Sequence, residues 1–168
     1  MTSASQSPAA GWVRTIASTL AFALGTTQQG GAQSAPPAPS GIIGIWRVTA
    51  PSALVEIAPC ADSGAGALCG RVIWYGEGVA ATDRKNPDKG LRARPVCGIE
   101  AISHAHPRSA TEYDGAALYD PSEGARYRGS ISLASPDVLE VRYQWGLFHQ
   151  TVRWRRETAD VVRCASGS

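Results

Sequence analysis

From Gly41 onward, no stretch of the chain places apolar residues at i, i+3, i+4 and i+7 without an intervening Gly or Pro, whereas alternation of apolar and polar residues recurs to the end. A helix buries a stripe of period 3.6 and a strand buries every second residue, so this pattern excludes long helices and predicts an all-β domain. Strands are expected at 43–49, 54–60, 68–75, 96–102, 116–119, 125–133, 138–145 and 147–154, joined mostly by Gly, Pro, Asp and Ser. Short strands separated by turn residues at this spacing indicate an antiparallel meander.

The last three strands separate their faces most cleanly. Tyr127, Ile131 and Leu133 alternate with Arg126, Arg128, Ser130 and Ser132; Leu139, Val141, Tyr143 and Trp145 alternate with Val138, Glu140, Arg142 and Gln144; Phe148, Val152 and Trp154 alternate with His149, Thr151, Arg153 and Arg155. One face is apolar and aromatic and the other is solvated. An eight-stranded sheet of this kind can close on itself, which removes its edges and leaves an interior that side chains fill or that holds one small ligand. The expected fold is therefore a small antiparallel eight-stranded barrel, with a two-sheet β-sandwich as the alternative.

Before Gly41 the chain is of another kind. Residues 1–32 hold a single charged residue, Arg14, followed by an apolar run from Ile16 to Leu24 and by small residues at Gly30 and Ala32. That is the layout of a secretory signal peptide processed before Gln33. Residues 33–40 are Pro, Ala, Ser and Gln and read as a linker, which leaves 41–164 as one barrel domain. The sequence predicts a periplasmic or secreted protein. With 16 Lys and Arg against 14 Asp and Glu in 168 residues, the formal charge of +2 is too small for a nucleic-acid surface. No apolar run reaches the roughly 20 residues of a membrane-spanning helix.

Four cysteines in an exported chain without a Cys-x-x-Cys pair read as disulfides rather than metal ligands. Cys60 and Cys69 flank a Gly-rich turn between two predicted strands, so a bridge across that hairpin needs no long-range assumption. Cys97 then pairs with Cys164 and ties the C-terminus back to the middle of the barrel.

Several groups of residues invite a chemical reading and have a plainer one. Asp83, Asn86 and Asp88 bring oxygen ligands together but lack the Gly and the closing Glu of a calcium loop, so they read as a turn held by its own side chains. His104 and His106 would share a face of an extended strand, yet no third ligand is identifiable and Pro107 suggests a loop. Arg84, Lys85, Lys89, Arg92 and Arg94 form a basic stretch that reads as a solvated loop or as a receptor for an anionic group. Arg94 and Asp120 both precede a Pro at a turn entry, and a pairing between them is expected to fasten the loop to the barrel rim. Gly-x-Ser-x-Gly, His-Glu-x-x-His and phosphate-cradling Gly loops do not occur in the sequence. Ser103, His149 and Asp120 are the residues from which a hydrolytic triad would have to assemble, and nothing in their spacing favours it. The chain reads as a non-enzyme without a cofactor.

The ordered landmarks Gly44-Ile45-Trp46, Val55-Glu56-Ile57-Ala58-Pro59-Cys60, Leu68-Cys69-Gly70-Arg71-Val72, Asn86-Pro87-Asp88, Leu91-Arg92-Ala93-Arg94-Pro95 with Gly98, Tyr119-Asp120-Pro121 with Gly124 and Tyr127, and Trp154-Arg155-Arg156 resemble a family of bacterial secreted proteins, a domain of unknown function with a lipocalin-like barrel. Cys97 and the tail after Arg156 depart from the family pattern. The resemblance implies a periplasmic lipocalin-like barrel without an established activity. It also implies that Trp46 closes one end of the barrel beneath a basic residue of the last strand, Arg153, Arg155 or Arg156.

The inward stripe carries more rings than simple filling requires, since Leu, Ile and Val fill a barrel without bringing polar atoms. Tyr127, Tyr143, Trp145, Phe148 and Gln150 are the expected ligand-binding residues, for a small apolar or amphipathic molecule. The alternative is an interaction module of the cell envelope with a solid core, docking an envelope component through its surface. A cavity of a few hundred cubic ångströms favours the first reading.

Overall fold

A computed structural model describes residues 41–50, 52–62 and 66–164; the expected signal peptide (1–32) and linker (33–40) lie outside the described residues. Eight strands, β1 (Gly44–Thr49), β2 (Ser52–Pro59), β3 (Leu68–Tyr75), β4 (Glu100–Pro107), β5 (Glu112–Asp120), β6 (Ala125–Ser135), β7 (Val138–Trp145) and β8 (Phe148–Arg156), pair in chain order and close into an antiparallel barrel. The sandwich alternative is thereby set aside. The β1/β8 seam is short, joining Trp46 to Arg156 and Arg47 to Arg155. It is extended by Glu157, whose N–H donates to Ile45 O at 2.8 Å and whose carboxylate accepts from Arg47 Nε at 2.9 Å.

An up-and-down meander puts the β1–β2, β3–β4, β5–β6 and β7–β8 connections at one end and both termini of the barrel at the other. The terminal end is solid. Trp46 is fully buried, its indole N–H donates to Ile42 O at 2.8 Å, and the Arg156 guanidinium lies 4.2 Å from its ring centroid. Arg156 also donates to the carbonyls of Pro136, Ile43 and Gly41, so one cation satisfies three backbone acceptors where the barrel closes. Of the three arginines expected above Trp46, Arg156 is the one that covers it.

Three expected strands shift. The strand expected at 96–102 runs instead from Glu100 to Pro107, because Val96 to Ile99 form a turn in which Gly98 adopts φ +87° and donates to Val72 O at 2.8 Å. Cys97 therefore sits in a connection and not in a strand. His104 and His106, expected in a loop before Pro107, lie within β4, where Pro107 ends the strand rather than preventing it. β5 begins at Glu112 rather than Ala116, and β8 runs on to Arg156.

Both disulfides are formed, Cys60 to Cys69 and Cys97 to Cys164. The tail after Arg156 runs back along the outside of the barrel. Arg163 makes a two-pronged pair with Glu56 on β2, which holds that carboxyl below its usual range, and Cys164 N–H donates to Ile73 O on β3 at 2.8 Å.

The 76–99 connection folds against the other end through a buried polar cluster. Asp83 and Asn86 are 0% and 1% exposed. The Asp83 carboxylate accepts from Tyr119 OH at 2.6 Å, from Asn86 Nδ2 at 2.7 Å and from Arg94 Nε at 2.9 Å. Asn86 Oδ1 in turn accepts from Asp88 N–H, and Asp88 Oδ1 from Gly90 N–H. The group is thus a self-bonded turn, as expected. The expected Arg94 to Asp120 pairing is wrong: Arg94 pairs with Asp83 at 2.8 Å, and Asp120 accepts from the N–H and hydroxyl of Ser122 in its own turn. Asp83 wins because it is buried and, without Arg94, would be a charge with no counter-charge.

Candidate functional site

Above the solid end, the barrel holds a cavity of about 860 Å³ that opens to solvent. Its walls come from the inward residues of the strand ends and from the connections at this end: Val48 and Ala53 from the first hairpin, Val79 and Val96 from the 76–99 connection, Asp120 to Glu123 from the β5–β6 turn, and Tyr127, Tyr143, Trp145 and Gln150 from the last three strands. Trp154 forms part of both the core and the cavity wall. Its indole nitrogen is the one buried side-chain polar atom without a hydrogen-bond partner among the described residues.

Four of the five expected binding residues, Tyr127, Tyr143, Trp145 and Gln150, come together here. Phe148 does not: it is 69% exposed at the β7–β8 tip, beside Leu147 at 98%. Alternation puts Phe148 on the inward side in register, but it pairs with Trp145 at the last position of the hairpin, where the barrel wall ends. The side chains of the remaining four belong to one array. Tyr127 packs edge-on against Tyr143 at 5.4 Å and against Trp145 at 5.9 Å, with ring planes at 89° and 64°. Tyr143 and Gln150 are directly opposed on β7 and β8.

Sequence reasoning missed the walls supplied by turns. Asp120 ends β5 and Glu123 stands in the four-residue connection to β6, whose direction no local pattern reveals. Small inward residues at Ala53 and Ala101 were a usable sign of space, since a filled barrel needs bulk at such positions.

Carboxylates set the electrostatics of this end. Tyr127 OH donates to Glu123 at 2.7 Å, and this bond, with burial and the nearby charges of Glu123 and Asp120, pushes the Tyr127 phenol up to about 12. Burial first, then Asp120, raises Tyr143 further, and burial with the Asp83 hydrogen bond raises Tyr119. A phenol whose folded pKa exceeds its unfolded value near 10 contributes stability in full below that value and loses it as pH rises through the folded one. The melting temperature is therefore expected to fall between pH 10 and about 12. Tyr127→Phe makes the fall shallower, with Tyr119 and Tyr143 accounting for the remainder; an unchanged slope in a pH series of thermal melts removes the Tyr127–Glu123 bond as its cause.

The other groups do not build a site. His104 lies within 4.8 Å of Glu100 and Cys69 in ligating atoms, but that sulfur is committed to the disulfide with Cys60 and His106 is not of the group. The strand also departs from regular extension at His104, with φ 51°. Among the described residues no hydrogen bond links Ser103, His149 and Asp120, whose carboxylate is taken by Ser122. The basic stretch divides: Arg94 and Arg92 bond inside the loop, and Arg84 and Lys85 line a smaller cavity of about 330 Å³ that shares Val79, Val96 and Pro121 to Glu123 with the large one.

With this geometry in place, the comparison with known proteins is direct. Residues 44–156 match the DUF2147 family, described as uncharacterized proteins conserved in bacteria. The chain belongs to that family. Among solved structures it is similar to one titled "Protein HP1028 from the human pathogen Helicobacter pylori belongs to the lipocalin family", with 24% identity and a TM-score of 0.59 over 69% of this chain and 82% of that one. At that identity the likeness establishes the lipocalin-like fold. No curated protein matches. The family span starts at β1 and stops at Arg156, so it takes in the whole barrel and leaves out the tail that carries Cys164. No helix among the described residues is long and apolar enough to cross a membrane.

Proposed function

We propose that the protein is exported to the periplasm or beyond and that its barrel carries a small apolar or amphipathic molecule. The cavity of about 860 Å³ carries this reading. It lies within the roughly 300–1,000 Å³ of ligand sites, and its mostly apolar wall with a few polar groups is the composition such sites share. Two disulfides in one barrel suit an oxidising compartment. Gln150 and Tyr143, directly opposed in register on β7 and β8, supply the amide and hydroxyl that orient a ligand's polar atoms.

A second reading, docking to an envelope component, draws support from the exposed tip at Leu147 and Phe148. Its solid interior is at odds with the cavity, so carriage inside the barrel is favoured.

Gentle purification of the exported protein followed by native and denatured, non-reduced mass measurement tests the proposal. A reproducible excess mass in the native form, lost on denaturation, is expected. Equal masses, together with no change of tryptophan fluorescence on adding decanol, overturn it. The denatured mass is also expected to begin at Gln33 and to fall short of the reduced mass by the hydrogens of two disulfides.

A further inference from the structure

We infer that the ligand carried in the barrel is an organic cation, an alkylated ammonium group on an apolar body, held where Tyr127, Tyr143 and Trp145 meet the carboxylates of Asp120 and Glu123. This rests on the reading of the barrel as a carrier and specifies its ligand. All five residues line the large cavity. The Tyr127 ring stands at steep angles to those of Tyr143 and Trp145, and the faces of aromatic rings are electronegative, which is why clustered rings hold quaternary ammonium groups.

The charges point the same way. Tyr119, at the same end, has Arg94 and Arg126 within 5.4 and 5.0 Å of its ring centroid. Among the described residues no cation of the chain covers Tyr127, Tyr143 or Trp145. The ion pairs among the described residues take up Asp83, Asp114, Asp137, Glu56, Glu100, Glu140 and Glu157, and neither Asp120 nor Glu123 is among them. Half-buried Asp120 and exposed Glu123 therefore border the cavity without an ion-pair partner, whereas Arg153, the arginine in the same wall, is paired with Glu140; two adjacent unpaired anions attract a cation. Their oxygens already accept from Ser122 and Tyr127. An alkylated ammonium, which needs charge and contact more than hydrogen bonds, suits them better than a primary amine.

An anionic amphiphile with its head at Arg84 and Lys85 is the competing assignment. Those side chains line the smaller cavity, and Glu123 belongs to the wall common to both cavities. An anion spanning the two cavities would share their common wall with that carboxylate, which repels it.

Titration of the full protein near neutral pH with decyltrimethylammonium, decanol and decanoate, each below its micelle concentration, separates these outcomes by calorimetry and tryptophan fluorescence. The cation is expected to bind about tenfold tighter than the alcohol, and decanoate more weakly than either. Glu123→Gln, which keeps an acceptor for Tyr127, is expected to reduce the ratio of cation to decanol affinity about threefold. Trp145→Leu loses the preference and Trp145→Phe retains part of it. Equal affinities for the three probes, or tightest binding of decanoate, overturn the cation while leaving a barrel that carries apolar chains. Absence of binding by all three overturns both readings.

Discussion

Asp83→Ala is expected to lower the unfolding free energy by about 3–5 kcal/mol, the cost of breaking a buried pair by removing one partner. At roughly 4 °C per kcal/mol for a domain of this size, the melting temperature falls by about 12–20 °C. The carboxylate is fully buried and accepts from three side chains of different origin: Asn86 and Arg94 in the 76–99 connection and Tyr119 on β5. Its removal strands the buried Tyr119 hydroxyl and the Arg94 guanidinium and leaves Asn86 Nδ2 with Tyr119 OH as its remaining acceptor. Asp120→Ala serves as the contrast. That carboxylate accepts only within its own turn, so its loss is expected to cost about 0.5–1.5 kcal/mol. Thermal and denaturant unfolding of the two variants measures the difference, and equal losses would mean that Asp83 does not hold the connection to the barrel. Cation binding provides a second readout, since Val79 and Val96 of that connection wall the cavity.

Loss of the Cys97–Cys164 bridge, by Cys97→Ser with Cys164→Ser, is expected to destabilise the fold by about 4 kcal/mol in the loop-entropy account, given 67 residues between the cysteines. The same substitution at Cys60 and Cys69, separated by 9, is expected to cost about 2.6 kcal/mol. The larger effect also has a local consequence. Cys97 lies beside Val96 in the cavity wall, and Cys164 lies in a tail otherwise held by the Arg163–Glu56 pair and one bond to Ile73. Without the bridge, the connection and the tail are released from each other, and proteolysis is expected to cut the tail after residue 157 first. A ranking in which the short loop matters more, in melts of the two double variants, would show that strain or denatured-state structure outweighs chain entropy at these sites.

Gly124 shows how the long connection is seated on the barrel. It sits at φ +71°, and a Cβ built there would lie 2.0 Å from Lys85 O. The β5–β6 turn and the Asp83 cluster can touch only if that residue has no side chain. Asn86, Arg94, Tyr119 and Gly124, scattered over three sequence motifs, thus meet in one contact region.

Strand alternation and turn residues by themselves determined the all-β meander, most strand positions and the inward stripe of Tyr127, Tyr143, Trp145 and Gln150, because a pleated chain beside water must alternate its polarity. The hairpin disulfide was equally local. Tertiary structure alone decided that Arg94 meets Asp83 rather than Asp120, that Phe148 passes beyond the wall into solvent, and that Asp120 and Glu123 border the cavity. Those outcomes depend on where a 76–99 connection without repeating pattern comes to rest and on where each strand leaves the barrel. Burial of one carboxylate, and the counter-charge it then requires, sets that resting place; periodicity carries no information about either.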